Sequence, residues 1–173
     1  MKHAAIMLLL SLCLAAPAHA ASDLYTTDKP SPLQLLEPDR EHVVAQFSGR
    51  VELAGRFAIA WESLGGRDYL RVDFLPDSGS AALLPRMVMD RPVEVLTFVN
   101  SEQAVAILLD PGTAQKILAK DLLHAKGEAT VTISAYQVEV ACDRRWYSAE
   151  LLSASRNREI VVGARESVGH GCG

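Results

Sequence analysis

The sequence predicts a mainly β domain of the α+β class, a small partly open barrel or roll of about five to seven strands with one helix, closed by a disulfide. Three observations predict it: a long stretch of alternating apolar residues near the C-terminus, a single clear helix start, and two cysteines that outlast a leader sequence.

The alternating stretch runs from Gly127 to Ser155. Val131, Ile133 and Ala135 share one parity, then Val138, Val140 and Cys142 take the other. Alternation marks a strand with one buried and one wet face, because successive side chains point to opposite sides. The slip near Tyr136 and Gln137 predicts a β-bulge or sharp bend, with a break into two strands as the rival reading. Asp143, Arg144 and Arg145 supply turn chemistry. A return strand follows, with Tyr147, Ala149 and Leu151 on one face and Trp146, Ser148 and Glu150 on the other, so the stretch is a hairpin.

Upstream, Val51, Leu53, Phe57, Ile59 and Trp61 share a parity within a strand over 50–62. Gly55 lies on that same parity, and a glycine inside a long strand marks a bend or the close approach of another backbone. Gly65 to Asp68 is a turn, and Tyr69 to Leu75 returns with Leu70, Val72 and Phe74 inside. Pro76 to Gly79 is a loop, and Pro85 leaves 81–89 irregular. Strands are expected at Val93 to Val99 and Ala104 to Leu109, with a turn over 100–103. Asp110-Pro111 predicts a helix with an aspartate N-cap and proline in the first turn. Ala114, Ile117, Leu118 and Leu122 recur at helical spacing, and the helix should stop before Gly127, with His124 in its last turn where a cation suits the dipole. Glu159 to Ala164 reads as a last short strand. A long bent strand, further strands, a helix and two closing strands match an OB-type barrel by analogy of arrangement.

Residues 1–20 read as a signal peptide: Lys2 and His3 start it, Ala4 to Ala16 is apolar, and Ala18-His19-Ala20 is a small-x-small cleavage site. Leu12 is too large for the small residue a lipoprotein signal needs before Cys13. Residues 21–40, rich in proline, form an extended leader, and 41–173 a single β-rich domain. Cleavage takes one lysine, leaving 16 Lys+Arg against 21 Asp+Glu and a net charge of −5. Mild acidity opposes a nucleic-acid surface or an anionic membrane surface, both of which need clustered positive charge. An exported chain with Cys142 and Cys172 should pair them, a bond that stabilises by about 3–4 kcal/mol. The expected compartment is the periplasm, with secretion beyond it as the alternative and at most peripheral membrane contact.

No zinc-protease, C-x-x-C, nucleophile-elbow or phosphate-loop motif occurs. His42 and His124 read as surface residues, and His170-Gly171-Cys172 lacks a third ligand, so no metal or cofactor is expected. Asp73, Asp77, Glu128, Glu139, Asp143 and Glu150 read as solvated carboxylates, and Ser78 and Ser80 as turn residues. The strongest recognition signal is Arg144, Arg145, Trp146 and Tyr147, because arginine beside aromatics is the composition of binding hot spots. Its structural alternative is a hairpin tip with solvated arginines and a Trp146 that covers the core edge. The function expected is an exported, non-enzymatic periplasmic binding domain for another envelope protein or a cell-wall ligand. An inhibitor or immunity protein against a periplasmic lytic enzyme is one alternative, and a small envelope hydrolase using Asp77, Ser78 and His124 is another.

Overall fold

A computed structural model describes residues 24–36, 44–141 and 144–163. The predicted signal peptide, Cys142, Asp143, Cys172 and the predicted disulfide lie outside the described residues. The elements are β1 (Tyr25–Thr26), β2 (Gln34–Leu35), β3 (Val44–Ser48), β4 (Val51–Leu64), β5 (Arg67–Pro76), α1 (Ser78–Ala81), β6 (Arg86–Met87), β7 (Leu96–Phe98), α2 (Ser101–Leu108), α3 (Pro111–Leu118), β8 (His124–Ala141) and β9 (Arg144–Gly163).

Five strands close into a barrel in the order β8-β4-β5-β7-β9, with β9 returning to β8. All these pairings are antiparallel except β7 with β9, which is parallel and completes the ring. The barrel is thus closed rather than partly open. The parallel pairing of Thr97 with Ser148 is a long-range contact that no local pattern announces.

The predicted parity slip is a bulge inside one continuous strand. Ala129, Val131 and Ile133 are buried, Ala135 takes a left-handed φ of 49°, and burial resumes at Tyr136 and Val138. Across from this bend, β3 and β4 both pair with β8 and act as two halves of one long strand interrupted at Gly49-Arg50. Gly55 has the predicted close approach: a Cβ there would strike the Leu75 carbonyl oxygen. The turn between β4 and β5 is Gly65-Gly66, with φ of 60° and 78°, the left-handed values a tight hairpin needs.

The core fills the barrel with Leu53, Phe57, Ile59, Val72, Phe74, Phe98, Val131 and Ile133, capped by Val105 and Leu108 of α2. Among the described residues three helices replace the single one expected. Residues 104–108 are helix, not strand, with Leu109 as the extended C-cap: six consecutive apolar residues fit either, and Asn100 decides by bonding both backbone groups of Leu151, which fixes the helix start against β9. Asp110 does cap α3, accepting from Gly112 and Thr113 at 3.1 Å each. That helix ends early, at Leu118, where Lys120 turns left-handed at φ 64°. His124 therefore opens β8 and sits at no helix end. Trp61 donates to the Ile117 carbonyl at 2.7 Å, and Lys120 covers its ring at 4.4 Å while reaching Asp68, so α3 is stapled to the β4–β5 hairpin. Residues 81–89, expected to be irregular, contain the end of α1 and β6; β7 is shorter than predicted; β9 runs unbroken to Gly163, absorbing the separate last strand. Residues 24–36 are tied to the barrel by β1 on β6, β2 on β3 and the buried Leu33.

Candidate functional site

The four residues singled out at the hairpin tip alternate between two faces of β9. Arg145 and Tyr147 turn toward the barrel end. The Arg145 Nε lies 3.1 Å from an Asp90 carboxylate oxygen and equally close to the Met87 sulfur, while the Tyr147 hydroxyl donates to Asp90 at 3.3 Å. Arg86, buried, donates from Nε to the Asp90 carbonyl and pairs with Asp28 at 2.8 Å. Tyr136 is fully buried, stacks on Tyr147 at 6.5 Å and donates to the Pro85 carbonyl at 2.7 Å. These bonds hold loop 85–90 over the barrel end. Burial first, and then the Asp90 charge, push the Tyr147 hydroxyl up to about 12. Burial does the same, more strongly, to Tyr136 and more weakly to Tyr25.

Arg144 and Trp146 point the other way. Trp146 is 46% exposed, and it stands opposite Glu139 of β8 on the outer face. Continuing inward from it, Ser148 pairs with Thr97 and Thr97 with Asp73, so a polar row crosses β9, β7 and β5. Thr97 donates to Asp73 at 2.8 Å. Arg71 Nε also lies 2.8 Å from Asp73, but without the alignment of a hydrogen bond. Tyr69 donates to Glu62, which raises its hydroxyl pKa.

The hydrolase candidates are not brought together. Asp77 caps α1 by accepting from the Ser80 backbone, and Ser80 Oγ accepts from Ala54 N–H at 2.8 Å, so the Asp-Ser-Gly-Ser loop has structural work. His124 pairs with Ala60, six positions further along β4 than Ala54, or roughly 20 Å by strand rise. Among the described residues no group of three His, Cys, Asp or Glu is placed to hold a metal, and no helix is long and apolar enough to cross a membrane.

A second concavity escaped the sequence reading. A groove of about 780 Å³ crosses the barrel flank between loop 91–94 and the middle of β8. Ala54, Gly55 and Ala129 lie along it, and Arg56, Arg91, Glu94 and Glu128 stand exposed around it. Asp90 and the groove charges carry no local signature; only their position after folding singles them out. The chain matches no family model, no curated protein and no solved structure.

Proposed function

We propose that this protein is an exported, non-enzymatic binding domain of the periplasm, built on an OB-type barrel, that takes another envelope protein or a cell-wall ligand at its hairpin tip. The observation that carries the reading is the division of labour along β9. Arg145 and Tyr147 fasten the tip to Asp90, while Arg144 and the half-exposed Trp146 face outward on a backbone already held rigid. A large aromatic presented on a fixed strand loses little conformational freedom on binding, which favours it as an anchor. The ring order, with a parallel closing pair and helices between the third and fourth barrel strands, supports the OB-type assignment. In that fold the loop between the last two strands borders the ligand face, and here that loop joins β8 to β9.

The test is affinity capture from a periplasmic extract, followed by titration of the captured partner or cell-wall fragment with wild type and with the Arg144→Ala/Trp146→Ala variant. The reading expects binding to weaken about tenfold or more in the variant. Equal affinity for every ligand found would remove the tip from the binding surface.

A further inference from the structure

We infer that the flank groove is a separate binding site for a short peptide carrying both a free amino group and a free carboxylate. The groove lies on the flank, away from Trp146: Arg56 and Glu128 belong to β4 and β8, Arg91 and Glu94 to loop 91–94, which also borders a smaller concavity beside Arg145 and Tyr147, and Asp77, the cap of α1, adds a third carboxylate. None of these arginines and glutamates takes part in an ion pair among the described residues, whereas Arg71, Arg86, Lys120 and Arg145 all do.

The pair Arg56 and Glu128 is the telling one. They are direct partners in the β4–β8 register and share a face, an arrangement in which opposite charges attract. They nevertheless stay apart. β8 keeps an unbroken register with β4 here, while its register with β9 shifts between Lys126 and Glu128 and again between Glu128 and Thr130, each time with the extra residue on β9. Separated cations and anions then border one open volume.

That charge pattern selects the ligand. A purely anionic ligand would meet Asp77, Glu94 and Glu128, and a purely cationic one Arg56 and Arg91. A zwitterion satisfies both, its carboxylate on a guanidinium and its ammonium on a carboxylate. The volume of about 780 Å³ exceeds what a free amino acid fills and suits a peptide of a few residues, about 10 Å long for three in extended form. Ala54 and Ala129, both small, leave room for such a backbone beside the strands.

The experiment is an amide-resolved NMR titration of the mature protein with tri-alanine, alongside the N-acetylated and the C-amidated forms. Shifts are expected at residues 54–56, 91–94 and 128–130, with affinity falling about tenfold or more when either end is capped or when Arg56→Gln and Arg91→Gln are combined. Trp146→Ala should leave tri-alanine binding unchanged, which separates this site from the tip. Thermal melting of the double variant checks that it is folded; both arginines are exposed, and a melting temperature close to that of wild type is expected. No perturbation at millimolar tri-alanine, perturbation confined to other residues, equal binding of the capped forms, or an unaffected double variant would each overturn the inference.

Discussion

At the tip end of the barrel Asp90 is gripped by Arg145 and Tyr147, whereas on the flank Arg56 and Glu128, direct neighbours across two strands, remain apart. The same residue types serve opposite ends because the backbone differs beneath them. Loop 85–90 has short backbone ties, the two-residue pairing of β6 with β1 and the Val88 N–H on the Leu24 carbonyl, and side chains add to them: Arg145, Tyr147, Arg86 and Tyr136 each supply a bond. On the flank, β4 is laddered to both β8 and β5, and the strands keep their geometry without help from charge. Charged groups there are released from structural duty, which is the condition for ligand recognition.

Substitutions should grade along that contrast. The largest effect is expected for Tyr136→Ala, which empties a fully buried aromatic site and strands the Pro85 carbonyl, at a cost of about 3–5 kcal/mol in a denaturant titration. A loss below 1 kcal/mol there, by the same measure, would mean that the barrel end is not held as described. Asp90→Ala should cost about 1–3 kcal/mol, since it leaves Arg145 and Tyr147 without their acceptor. Glu128→Ala should stay within about 0.5 kcal/mol, and a comparable loss at both positions would erase the distinction between the two regions.

A further contrast is the pH dependence of the tip. Tyr147 keeps its proton up to about 12 in the fold, against about 10 in the unfolded chain. Its contribution is fully present below pH 10. Above that the unfolded chain releases the proton first, so stability falls as the pH rises from 10 toward 12. Melting temperature followed across that window should drop less steeply in Tyr147→Phe than in wild type, although Tyr136 and Tyr25 keep part of the slope.

Much of the barrel is visible in local pattern. The parity of β4, the turn at Gly65-Gly66 and the slip at Ala135 follow from side-chain periodicity and glycine chemistry, which act over a few residues. The helix start at Asp110 is equally local. The run 104–109 was not legible, because a short apolar segment suits both a strand and a helix until a neighbour decides, and that neighbour is Leu151, fifty-one positions from Asn100. The hairpin tip was legible as a composition, Arg144 to Tyr147, but not as two faces with different tasks, since Asp90 is supplied from a distant loop.

The sequence by itself determined the strand-rich character, the bulged hairpin and the candidate aromatic-arginine tip, all consequences of interactions between residues near in the chain. Only the tertiary structure decided that the barrel closes through a parallel pair, that Arg145 and Tyr147 brace a loop, and that Arg56, Arg91, Glu94 and Glu128 border one groove. These depend on which distant segments meet. That choice is made by the burial of the whole core, and no stretch of a few residues encodes it.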